Sequence, residues 1–169
     1  MRLTTYSDYA LRCLIYLAVQ DDRDKLVNIQ DIADVYEISK NHLTKIVHQL
    51  AIIGYIDSVR GRNGGIRLAK QTKDINIGEV IRQTEIDFSI VDCFTPIDKK
   101  VFVSPPKSNK FPGEKVAIKD QIALCKISPA CHLKRAFYEA TQSFLSVLDQ
   151  YTLADIVENE EQLKRILFK

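Results

Sequence analysis

Apolar residues recur at helical spacing early in the chain, with Tyr9, Ala10, Cys13, Leu14, Leu17 and Ala18 on one stripe. This pattern predicts an amphipathic helix over 6–20, capped by Ser7 or Thr5. Asp8 falls in its first turn, where a carboxylate favours the helix dipole, and Cys13 falls on the core side. After the charged turn Asp21-Asp22-Arg23-Asp24-Lys25, Asn28 is placed to cap a short helix from Ile29 to about Tyr36, with Asp31 as a partial capping box. A break at Glu37-Ile38 follows. Ser39 then caps a helix from Lys40 to about Ile52, with Leu43, Ile46, Val47 and Leu50 inward and Lys40, Asn41, His42 and Lys45 outward.

The period then changes from helical to two. Tyr55–Val59 alternates as a strand, and Ile66-Arg67-Leu68 alternates as its partner. Between them lies Arg60-Gly61-Arg62-Asn63-Gly64-Gly65, in which Asn-Gly-Gly supplies positive φ for a tight hairpin. Two helices joined by a tight turn and followed by a basic hairpin describe a winged helix-turn-helix, whose second helix enters the DNA major groove. The DNA-binding candidates are Ser39, Lys40, Asn41, His42 and Lys45 on that helix, and Arg60, Arg62, Asn63 and Arg67 on the wing. Asn41 and Lys45 can donate to base edges, and Lys40 suits phosphate. His42 and His48 could ligate a metal, but single histidines on a helix more often face solvent or a groove.

Further along, Asn76-Ile77-Gly78-Glu79 reads as a capping box opening a helix to about Thr84, and residues 85–93 run extended into Cys93. The stretch 94–124 holds four of the five prolines and six lysines without a helical period, which predicts a flexible loop. A long helix runs from Ser128 to about Gln150, with Ser128 as N-cap and Pro129 at the first position. Leu133, Phe137, Ala140, Phe144, Leu148 and Tyr151 form a heptad-like stripe along it. That stripe suits pairing with a second copy, the alternative being packing on the helix's own domain. Thr152 opens a last helical stretch over Leu153–Val157. The expected fold is mainly α with a small β-hairpin. It divides into a winged helix-turn-helix domain over 1–75, a linker helix and loop over 76–127, and a dimerisation helix with C-terminal segment over 128–169.

Charge sharpens this picture. The chain's net charge is only +2, yet residues 38–73 carry seven basic side chains against Asp57 alone, a local +6. Such a segment is the electrostatic footprint of a polyanion site. There is no run of 18 apolar residues and no signal-peptide pattern, so the chain is expected in the cytoplasm, without a membrane partner and with reduced cysteines. No phosphate loop, nucleophile elbow or paired His/carboxylate motif occurs, which argues against an enzyme.

Cys125-Lys126-Ile127-Ser128-Pro129-Ala130-Cys131 places two thiols near a helix start, where the dipole favours thiolate; Cys93 lies upstream. Three such thiols suit a soft metal or an iron–sulfur site, or else are small buried hydrophobes.

Several stretches together resemble the IscR/NsrR/RirA family of iron–sulfur winged-helix regulators, and within it the nitric-oxide-sensing members. They are Leu3-Thr4-Thr5-Tyr6-Ser7-Asp8-Tyr9-Ala10-Leu11-Arg12, Asn41-His42-Leu43 with Lys45-Ile46-Val47, the wing Gly61–Leu68, Ile77-Gly78-Glu79-Val80, Cys125–Lys134, Phe144-Leu145, and Leu148–Asp155. The resemblance implies a homodimer that binds an inverted-repeat operator in double-stranded DNA and represses genes for nitric oxide detoxification. It implies one iron–sulfur cluster per subunit, [2Fe–2S] or [4Fe–4S], held by Cys93, Cys125 and Cys131, with Asp8 of the partner subunit as fourth ligand in preference to His132. The same fold and ligands would also suit a sensor of iron or cluster supply, and a cluster-free DNA-binding or interaction protein is a third reading. One departure stands out, since relatives join the first two cysteines by a short loop and here 31 residues separate them. Closing that loop rather than a five-residue one costs only about 1.6 kcal/mol. That is small beside a multidentate thiolate site, so the insertion does not exclude ligation.

Overall fold

A computed structural model describes residues 2–85, 87–91, 125–127 and 130–168. Helix α1, Thr5–Ala18, is capped by neither Thr5 nor Ser7. Thr4 is the cap, its Oγ1 accepting from the Ser7 amide at 3.3 Å. Ser7 is instead buried, and its hydroxyl donates to Thr84 Oγ1 at 2.8 Å. Thr4 is itself tied from afar, its amide donating to Glu85 Oε1 at 2.7 Å. Cys13 is fully buried among the core residues of α1, as its place on the stripe predicts.

Helices α2, Ile29–Val35, and α3, Lys40–Ile52, follow the sequence reading closely. Asn28 Oδ1 caps α2 by accepting from the Gln30 amide at 2.9 Å. Glu37, at φ 54°, makes the turn between the helices. Leu43, Ile46, Val47 and Leu50 are buried, and α3 packs on α1 and α2. Removing one such leucine side chain would cost about 2–5 kcal/mol.

Gly54, at φ +80°, ends α3 and starts the hairpin. Strands β1, Ile56–Val59, and β2, Gly65–Leu68, pair antiparallel in the register Ile56↔Leu68 to Val59↔Gly65. Positive φ in the loop falls on Gly61, at +123°, and not on the Asn63-Gly64-Gly65 run. Gly64 and Gly65 are needed for space. A Cβ on Gly64 would run into the Val59 carbonyl, and one on Gly65 would sit 2.7 Å from the Val27 carbonyl. Val27 and Ile66 exchange amide–carbonyl bonds at 2.9 Å, which anchors the wing to the segment before α2.

A short 3-10 turn, Thr72–Asp74, leads to α4, Ile77–Thr84. Asn76 Oδ1 accepts from the Glu79 amide at 3.0 Å, and its side-chain NH2 donates to the Asp149 carbonyl at 2.7 Å. The next described helix, α5, spans His132–Leu148 with Cys131 at the N-cap. It therefore starts later than the sequence suggests, and Ser128 and Pro129 lie outside the described residues. Thr141 and Leu145 are its buried positions. Arg82 on α4 grips Asp149 with both terminal guanidinium nitrogens, the Nη2–Oδ2 bond being 2.6 Å. Helix α6, Leu153–Ile156, opens with a full capping box between Thr152 and Asp155. Helix α7, Glu160–Leu167, has no counterpart in the sequence reading. It is held to the front of the chain by Lys164, which donates to Asp21 at 2.5 Å, and by Phe168 edge-on to Tyr16 at 5.1 Å. Leu145, Leu153, Val157 and Leu167 share one core with α1–α4.

Candidate nucleic-acid interface and thiol site

The buried row of α3 points its opposite side outward. Ser39, Lys40, Asn41, His42, Thr44, Lys45 and His48 are all exposed. Ser39 occupies the N-cap, and its hydroxyl makes no capping bond among the described residues. The α3 N-terminus thus presents amides, a hydroxyl and Lys40 together, donors suited to a phosphate oxygen. Asn41 and Lys45 lie on the face that a major groove would admit.

Arg60, Arg62 and Asn63 sit exposed in the wing loop, around the turn that Gly61 makes. Arg67 differs. From β2 it donates to Asp24 at 3.1 Å and pairs with Asp57 at 3.5 Å. Its charge is already shared with two carboxylates, so it braces the wing root. Lys70 sits 4.7 Å from the centre of the Tyr55 ring, a cation–π contact at the foot of the same hairpin. Sequence reasoning passed over Thr44 and Arg12. The first sits among the outward residues of α3, and the second forms an i,i+4 pair with Asp8 that the spacing alone signals.

Arg12 Nε donates to both oxygens of Asp8, at 3.1 and 3.0 Å, and the guanidinium lies 5.7 Å from the Tyr36 ring centre. The bond to Asp8 raises the Arg12 pKa above its usual value. Burial pushes the Tyr36 hydroxyl up to about 12.

Cys125 is exposed and Cys131 half-buried, and both are free thiols on either side of the turn that precedes α5. Cys131 makes no side-chain capping bond, so its sulfur is open to another partner beside the α5 amides. Cys13 is separated from them in character, since burial pushes its thiol up to about 12 and keeps it protonated. Cys93 lies outside the described residues, as does the 94–124 stretch. Among the described residues no three ligating side chains converge. The donors that are described suit iron, since accessible thiols, one of them at the α5 N-cap, are ligands for a soft metal. Of the expected stripe, Leu133 and Ala140 on α5, and Tyr151 beyond its end, are exposed. Phe144 and Leu148 pack partly on the chain's own core.

Residues 3–159 match the Rrf2 family, described as an iron-dependent transcriptional regulator. The chain belongs to the Rrf2 family. This Rrf2 protein is 47% identical over 167 residues to a Bacillus licheniformis protein named HTH-type transcriptional regulator NsrR, covering 99% of each chain. It is 46% identical to the Bacillus subtilis protein of the same name, covering 99% of this chain and 97% of the relative. In fold it is similar to T. potens IscR, with a TM-score of 0.63 at 23% identity over 97% of this chain and 91% of the other. It is also similar to CymR, the global cysteine regulator of B. subtilis, with a TM-score of 0.62 at 22% identity over 94% and 97%. The mainly α winged-helix architecture expected from the sequence therefore holds. The Rrf2 chain is a transcriptional regulator that binds DNA, and not an enzyme. Among the described residues no helix is long and apolar enough to cross a membrane.

Proposed function

We propose that the chain is a cytoplasmic, homodimeric repressor that senses nitric oxide through an iron–sulfur cluster, one per subunit, and leaves its operator on exposure. The observation that carries this reading is near-full-length identity of 41–47% to regulators named NsrR, together with a free thiol at the α5 N-cap, Cys131, and a second, exposed one at Cys125. Cys93, Cys125 and Cys131 would hold the cluster, with Asp8 of the partner subunit as fourth ligand. When bound there, the iron would supply the metal to which nitric oxide binds.

The chain's own residues supply the rest. Asp8 is a harder, weaker donor than thiolate, and Arg12 offers it an alternative partner one helical turn away. Arg12 in turn touches Tyr36 at the end of α2, so the state of Asp8 is felt beside the helix pair. The exposed Leu133 and Ala140, with Phe137, support α5 as the dimer helix. The dimer sets the spacing of its two α3 helices, which an inverted repeat requires to be about one DNA turn, 34–36 Å.

A second reading, a sensor of iron or cluster supply with the same ligands, draws support from the family's iron-dependent description. Single substitutions test the ligand set. Cys93→Ala, Cys125→Ala and Cys131→Ala should each lose iron, while Cys13→Ala keeps it. Iron retained in all three would overturn the cluster assignment. Operator release by nitric oxide at constant iron supply separates the first reading from the second.

A further inference from the structure

We infer that Thr44 is a specificity-determining residue whose methyl group reads the 5-methyl of a thymine in the major groove. The inference rests on α3 being the reading helix. Thr44 is exposed on α3, three residues after Asn41, four before His48 and next to Lys45. Residues three and four apart on a helix are surface neighbours, so these side chains form one patch.

Within that patch Thr44 is chemically unlike the others. Its Oγ1 donates to the Lys40 carbonyl at 2.8 Å, so the hydroxyl hydrogen is already used inside the helix. The β-branched side chain has few rotamers, and this bond fixes one of them. What remains for a partner is chiefly the methyl group, an apolar point among Lys40, Asn41, Lys45 and His48. Of the four bases only thymine offers a methyl on its major-groove edge. Threonine is also a mediocre helix former, so helix stability gives no reason to place it on an exposed mid-helix site.

The test uses the full-length, anaerobically purified protein. A random duplex pool is first enriched for its operator. Each recurrent thymine of the half-site is then replaced by deoxyuridine, which lacks only the 5-methyl. One symmetric thymine should show a loss of about fourfold per half-site in the wild type, the worth of one buried methyl. For Thr44→Ser, which keeps the hydroxyl and loses the methyl, the thymine-to-deoxyuridine ratio at that position should fall to about one. For Thr44→Val, which keeps a methyl and loses the hydroxyl, the ratio should stay near four. No methyl-sensitive thymine, or a Thr44→Ser protein as sensitive as wild type, overturns the inference. A ratio lost in Thr44→Val and kept in Thr44→Ser would make the hydroxyl the reader. An enriched operator bound equally well by wild type, Asn41→Ala and Lys45→Ala would show instead that α3 does not read DNA, a failure of the parent reading recognisable without any thymine.

Discussion

Arg12 holds Asp8 through a single nitrogen that bonds both carboxylate oxygens, at 3.1 and 3.0 Å. Both side chains are nearly half exposed, so the pair contributes little to stability, about 0.3–0.5 kcal/mol for an i,i+4 couple. Asp8 can therefore leave Arg12 cheaply. Asp8→Ala should fold normally, keep iron on three thiolates and bind operator less tightly. An Asp8→Ala protein with unchanged operator affinity and nitric oxide response would remove Asp8 from the ligand set.

The Arg82–Asp149 pair predicts a pH dependence. The Arg82 hydrogen bonds hold the Asp149 carboxyl below the usual carboxylate range. A depressed pKa stabilises the fold above the unfolded value of about 3.9, and this contribution is lost as pH falls through the folded value. Urea unfolding should find Asp149→Asn less stable by about 1 kcal/mol at pH 6, with the gap narrowing once pH falls below the unfolded value of about 3.9. A gap that stays constant over that range would mean the charge is not what matters. Gly78→Ala should mimic the loss, because an added Cβ would meet the Asp149 carboxylate.

On the wing, Arg62 and Arg67 should behave differently. Arg62 is exposed in the loop and free to meet phosphate, whereas Arg67 is braced by Asp24 and Asp57. Arg62→Ala should weaken binding to all sequences and lower the slope of log affinity against log salt by about 1 per subunit. Arg67→Ala should change that slope less and reduce thermal stability instead. Equal slopes for both variants would contradict this division.

Thiol accessibility separates the cysteines. In the iron-free native protein a water-soluble thiol reagent should react quickly at Cys125 and Cys131 and leave Cys13 untouched until unfolding, since Cys13 is fully buried with its pKa pushed up to about 12. Mass spectrometry of partly labelled protein reads this directly. Early label on Cys13 would show that α1 opens locally.

The elements that were legible in the sequence are those whose signals are local. The inward row of α3, the Asn28 cap and the paired strands all follow from spacing and residue type. What escaped depends on distant partners. Thr4, Thr5 and Ser7 all fit a cap, and contacts with Glu85 and Thr84 across the fold decide between them. Leu145 lies off the expected stripe, because α5 turns one face to its own core and leaves Leu133 outside. Helix α7 is short and strongly charged. Lys164 reaching Asp21, 143 residues away, and Phe168 against Tyr16 place it, and no periodicity announces such contacts. In the hairpin, Asn-Gly-Gly suggested positive φ, yet Gly64 and Gly65 serve close backbone approach. Among the site residues, helix and wing positions could be placed by pattern. The thiols could not be brought together by spacing, because the long 94–124 stretch separates Cys93 from Cys125.

The most direct test of the central claim is a nitric oxide titration of the anaerobically purified protein on labelled operator, with visible absorbance and DNA-binding anisotropy read from one cuvette. Iron and labile sulfide are assayed on the same sample. The account predicts a coloured protein whose cluster bands collapse within a few equivalents while the operator is released in step. A colourless protein that takes up no cluster, or cluster bands that collapse while the operator stays bound, would contradict it.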